Sequence, residues 1–318
     1  GSDSSFMWQG MIPMDETPLQ HNPERGFVSS ANQHPADSTY PYYLGRNYPI
    51  YRGIIVNRLL SDTNLITPED MMKMQTNNYN VFAETAMRPF LKYLQPNLTN
   101  KDEAYFYDIL KSWDLYNNPD SKGATVFKIF WDEFYAKVYD DEFKKAPQPI
   151  MKPFESTLVE AILRDSSYKF IDNVETPEVE NITTILHQAF VAAISKLELI
   201  STDGKLTWAK YKATRVNHLA KIEPFSRTNL NIGGGTHVIN AAKEAHGPSW
   251  RMVVSLTKDT EAFGIYPGGQ NGNPGSKYYD NFVNDWVAGN HYALWLMKKE
   301  EQNDKRIKWK MTFKSTKS

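Results

Sequence analysis

Two kinds of hydrophobic pattern divide this chain. From Thr67 to about Lys196, apolar residues recur every three to four positions, which places them on one face of a helix. Thr67, Pro68, Glu69 and Asp70 spell a helix start: a capping hydroxyl, a proline at the first helical position and acids in the first turn. Val81 to Leu94 carries Phe82, Met87, Phe90, Leu91 and Leu94 on one stripe. Asn100 caps a segment holding Ala104, Tyr105, Ile109, Leu110 and Trp113. The spacing predicts a long helix over about 124–138 and a shorter one over 154–163. Thr176, Pro177 and Glu178 repeat the start signal, predicting a helix to about Leu197. These stripes read as core packing and contain no cofactor box.

The flanks differ. Residues 6–12, the stretch around Phe27 and Val28, 249–256, 262–266 and 306–313 read as strands. Pro49 sits where a first helical residue would, ahead of Tyr51, Ile54, Ile55 and Leu59 at helical spacing. Residues 278–287 read as a helix, and Pro267 to Ser276 as a long glycine-rich turn. Strands, then helices, then strands predict an α+β domain, with sheet-forming segments at 1–60 and 206–318 and a helical insertion at 61–205.

Composition narrows the function classes. The chain has 318 residues, enough for a sizeable core, and a net charge of −1, which argues against nucleic acid and anionic membrane as partners. It has no cysteine, so disulfides, thiolate metal sites and a cysteine nucleophile are excluded. No apolar run reaches membrane-spanning length, and no signal peptide is visible. The opening Gly-Ser-Asp-Ser-Ser reads as a vector-derived scar and lead-in, with the natural chain expected to extend upstream. Gly233, Gly234 and Gly235 lack the partners of a phosphate loop, and a close backbone crossing in a sheet is the better reading. The seven histidines include no zinc-ligand spacing. Asp140, Asp141 and Glu142 read as a solvated acidic patch, and the many aromatics as core, with a carbohydrate-binding surface as a weaker reading.

The most informative stretch is 22–33. Asn22 and Pro23 favour a turn, Gly26 permits an unusual torsion, and Ser29, Ser30, Asn32 and Gln33 form a polar end. An asparagine there serves either as a turn residue or as a fixed N–H donor facing a reacting oxygen.

Asn22, Pro23, Gly26, Ala31 and Asn32, preceded by Trp8, Gly10, Ile12 and Pro13, resemble a signature of the penicillin acylase family of N-terminal-nucleophile hydrolases. Arg52 with Ile54 and Arg58–Leu60, the 67–75 segment, and Leu110 with Trp113 and Asp114 are similar to further family segments. So are Gly233–Thr236, Gly247–Arg251 and Pro267–Ser276, followed by Tyr279, Asp280 and Trp286. The motifs run in order through nearly the whole chain and match the C-terminal half of the family's catalytic chain.

The resemblance implies part of a four-layer αββα sandwich with a large helical insertion. It implies hydrolysis of an acyl amide by an upstream N-terminal serine whose own α-amine acts as base. It makes Asn32 an oxyanion-hole donor and Arg52 a supporting charge, with Asn22, Gly26, Gly234, Arg251, Gly268 and Gly269 as structural positions. Ser2 stands too close to Asn32 to be that serine, so the isolated chain is expected to be inactive. The implied partners are the N-terminal remainder of the precursor and a small acyl-amide substrate. The implied location is periplasmic or secreted. No cofactor is expected beyond a structural calcium held mainly by upstream residues. Three positions depart from the pattern: Gln33 for a second Asn, Asn77 for an acid, and Asn271 for a Ser. The alternative function is a non-catalytic binding or structural module that retains the fold.

Overall fold

A computed structural model describes residues 3–8, 10–45 and 49–315, so Ser2 lies outside the described residues. The chain forms two compact units, Gly1–Ile66 with Lys73–Pro248, and Thr67–Met72 with Ser249–Ser318.

The first unit is helical. Its helices are α1 (Tyr51–Asp62), then, beyond α2 (Pro68–Gln75), α3 (Val81–Tyr93), α4 (Lys101–Lys111), α5 (Lys122–Phe143), α6 (Glu155–Arg164), α7 (Ile182–Thr202) and α8 (Trp208–Lys212). Their starts follow from side-chain capping of unpaired N–H groups. Asn80, Asn100, Ser121 and Asn181 each accept from a backbone N–H of the helix that follows. At α2, Thr67 Oγ1 accepts from Asp70 N, while Asp70 Oδ2 accepts from Thr67 N. That reciprocal pair is a capping box.

The core lies where α5 packs along α7, with α3, α4 and α6 around them. Phe90, Phe130, Phe134 and Phe190 are fully buried there, with Trp131 beside them. Phe90 and Phe134 meet edge to face at 5.3 Å, and Phe130 and Phe190 at 5.2 Å. Such pairs add to the area they bury. Gly123 on α5 admits the Trp113 side chain, since a Cβ there would stand 2.2 Å from Trp113 Cγ.

The second unit contains an antiparallel sheet in the order β1 (Arg251–Ser255), β2 (Glu261–Ile265), β3 (Tyr292–Leu294). Arg251 pairs with Ile265, and Phe263 with Ala293. A short helix, α9 (Val283–Ala288), precedes β3. Arg251 is buried, donates from Nη1 to the Trp286 carbonyl at 2.8 Å and stacks on the Trp286 ring. Burial pushes its pKa down to about 10. Gly269 lies so close to the Tyr278 carbonyl that a Cβ would be 2.1 Å away, and Gly268 has φ +138°. These contacts explain why the long turn needs both glycines.

Several expectations are corrected. The described residues of 6–12 form no strand, nor do 27–28 or 306–313. Trp8, Met11, Trp309 and Phe313 all stand exposed, with no neighbouring strand to complete a ladder. Among the described residues of 1–60 there is no strand at all. The helix expected from Thr176 begins at Ile182 instead, because Thr176 Oγ1 turns to Glu180 and Asn181 takes the capping role. Helix α1 begins at Tyr51, two residues after Pro49, and the 278–287 helix shrinks to α9. The acidic trio is not simply solvated. Asp140 pairs with Lys144 and Lys152, and Asp141 is buried and accepts from Val174 N. Burial, then neighbouring Asp141, pushes the Glu142 carboxyl up to about 7. No described helix is long and apolar enough to cross a membrane.

Candidate functional site

Helix α1 carries Arg52, and its seat fixes where that side chain points. Tyr51 and Ile55 are buried, and the Tyr51 ring meets Phe82 of α3 edge to face at 5.1 Å. One turn on, Arg58 clamps Glu84 of α3 with contacts of 2.6 and 3.2 Å, and Tyr79 donates to the same carboxylate. The Arg58 hydrogen bond outweighs burial and holds the Glu84 carboxyl below its usual range. Between these anchors Arg52 is half-buried and reaches back to the 22–33 loop.

Arg52 Nη2 donates to Asn32 Oδ1 at 2.7 Å. A guanidinium has no acceptor, so the bonded atom must be the amide oxygen. This choice turns Asn32 Nδ2 away from Arg52, and among the described residues that donor has no acceptor. Asn32 itself is exposed and adopts φ +65°, a left-handed torsion that asparagine tolerates better than most residues.

The loop is braced from within. Gln33 folds back so that its Oε1 accepts from Ala31 N at 2.6 Å. Gly53 of α1 makes room for it, since a Cβ there would be 3.1 Å from Gln33 Oε1. The departure at Gln33 therefore has a structural task, which is closing the turn that presents Asn32. Asn57 completes the brace, accepting from Ser29 Oγ at 3.0 Å and from Arg25 at 2.8 Å. The structural positions Asn22 (φ +44°) and Gly26 (φ +74°) supply the upstream bends.

Gly234 takes part in a close crossing, though between loops rather than within a sheet. Its φ is +87°, and a Cβ would stand 2.1 Å from the Asn240 carbonyl. Asparagines lock this crossing. Asn240 Nδ2 donates to Asn78 Oδ1, Asn78 Nδ2 donates to Asn118 Oδ1, and Gly234 N donates to the Asn117 carbonyl.

Two features have no local signal in the sequence. His237 and Glu155, 82 residues apart, meet at 3.1 Å, and the Trp131 indole donates to Glu155 at 2.9 Å. Burial would raise the Glu155 carboxyl, but His237 and Trp131 together hold it below its usual range. Lys212 is buried, donating to the Gly233 and Ala242 carbonyls at 2.7 Å each. Both features line a pocket of about 410 Å³ in the helical unit. No three His, Asp or Glu side chains among the described residues gather as a cation site.

Comparison with known proteins is decisive for the family. The penicillin amidase family model matches residues 1–303. The chain belongs to the penicillin amidase family. Acyl-homoserine lactone acylase QuiP of Pseudomonas syringae pv. tomato is 24% identical over 95% of this chain and 40% of its own length. The QuiP of Pseudomonas fluorescens Pf0-1 is 23% identical over 92% of this chain and 39% of its own. The chain thus spans about two fifths of the length of these curated relatives. A solved thermostable penicillin G acylase from Alcaligenes faecalis superposes with a TM-score of 0.63 at 13% identity. That match covers 98% of this chain and 61% of that one, and it shows a shared fold.

Proposed function

We propose that this chain is the C-terminal portion of an acyl-amide hydrolase, with Asn32 as one oxyanion donor and Arg52 as the residue that orients it. The nucleophile in this reading is an N-terminal serine carried by the upstream part of the same precursor. Its α-amine takes the hydroxyl proton as the oxygen attacks the amide carbonyl. The carbonyl oxygen becomes an oxyanion, and the Asn32 amide donates to it. The fixed positive charge of Arg52 also disfavours a protonated α-amine nearby. The leaving amine takes up the proton, and water then releases the acid. The substrate classes that fit are an acyl-homoserine lactone, the side-chain amide of a β-lactam, or an acylated peptide. A periplasmic or secreted location accompanies the reading.

The observation that carries it is the Arg52–Asn32 hydrogen bond, which takes the amide oxygen and leaves the amide N–H pair without a protein acceptor among the described residues. Steady-state kinetics of the full-length protein provide the test. Asn32→Ala and Asn32→Asp are expected to lower kcat about 10²- to 10³-fold, the usual effect of losing one oxyanion donor. Unchanged amide hydrolysis in both variants would rule out the role and leave the chain as a non-catalytic module.

A further inference from the structure

We propose that the pocket between α5, α8 and the 233–244 loops binds a small carboxylate with an apolar body, its anionic end paired to Lys212. The inference starts from charge. Lys212 is 8% exposed. Two of its three donors are used by the Gly233 and Ala242 carbonyls. Among the described residues no carboxylate lies within ion-pairing distance of its ammonium, since Lys212 enters no salt bridge and burial is the cause that lowers its pKa to about 7. Burial without a counter-ion penalises the charged ammonium, and a bound anion offsets that penalty.

The pocket wall fits the rest of such a ligand. Phe127, Trp131, Trp208 and Tyr211 line it, giving aromatic surface beside the ammonium. Trp208 is held in place by its own indole bond to the Gly234 carbonyl at 2.7 Å. The other charged groups at the pocket, Lys243 apart, already have partners. Lys128 pairs with Asp132, Glu155 with His237, and Glu244 with Arg215, while Lys243 adds a second positive charge. The third Lys212 proton is a buried strong donor left without a partner among the described residues.

The test is isothermal titration and tryptophan fluorescence on the 318-residue chain, with benzoate and hexanoate as probes and benzamide and hexanamide as neutral shapes. The carboxylates are expected to bind at least about tenfold more tightly than their amides, and to weaken as pH rises from 7 to 9 and Lys212 loses its proton. Lys212→Met is expected to erase the preference. Ala124→Leu, which fills the pocket from α5 without touching the lysine, is expected to abolish binding of both shapes. It guards against a Lys212 variant that fails to fold. Equal affinity for acid and amide, absence of binding, or a preference that survives Lys212→Met would overturn the proposal. So would loss of binding in the full-length protein, which would show that the rest of the polypeptide fills the pocket.

Discussion

At the scale of single residues, the sequence exposes Asn32 and Arg52 but not the bond between them. A signature can say that an amide belongs at a position. Only the fold decides that the Arg52 guanidinium takes the amide oxygen and leaves the nitrogen free to donate. The sequence carries no sign of the buried Lys212 and reads Glu142 as solvated, because the properties of both come from burial. Both give a pH dependence of opposite sign. Lys212 has a folded pKa pushed down to about 7, so between pH 7 and 9 the unfolded state binds more protons and stability rises with pH. The slope from this group is at most about 1.4 kcal/mol per pH unit. Thermal denaturation of Lys212→Met is expected to lack that rise. Glu142 has a folded pKa pushed up to about 7, so the native state holds the extra proton and stability falls as pH rises from 4.5 to 7. Glu142→Gln is expected to flatten that fall, and a variant as pH-sensitive as the parent would contradict the assignment.

At the scale of elements, helices were read well because their signals are local. Asn100, the capping box at Thr67 and the stripes of α3 and α5 all work within a few residues of themselves. Strands were read poorly because a strand needs a partner. The alternation at 6–12 and 306–313 has none, whereas 251–255 finds 261–265 and becomes sheet. Packing between elements sets the stability of the helical unit. Phe130→Ala on α5 is expected to cost about 3–5 kcal/mol, the range for emptying a buried aromatic site. Gly123→Ala is expected to cost about 1–3 kcal/mol, because the added methyl collides with Trp113 and the core has no slack. Chemical denaturation checks both, and a Gly123→Ala protein as stable as the parent would show that Trp113 can move freely.

At the scale of the whole molecule, three of the segments that expose apolar residues bear on association. Trp8, Met11, Met14 and Leu19 near the start, Met252, Val254 and Leu256 at an edge strand, and Trp309, Met311 and Phe313 near the end are all exposed. Such surface marks sites of association. In the proposed reading the partner is the N-terminal remainder of the precursor, which also brings the serine. The 318-residue chain alone is therefore expected to show no acylase turnover, and adding the upstream part in trans is expected to restore turnover and quench binding of an apolar dye. Turnover by the chain alone, abolished by Ser2→Ala, would overturn this. The sequence by itself determined the helical stripes, the starts at Thr67 and Asn100 and the family, because each is written in local spacing or in ordered motifs. The tertiary structure decided which way Asn32 points, that His237 meets Glu155, and that Lys212 is buried without a counter-ion. Those depend on residues far apart in the chain, whose meeting and desolvation no local pattern encodes.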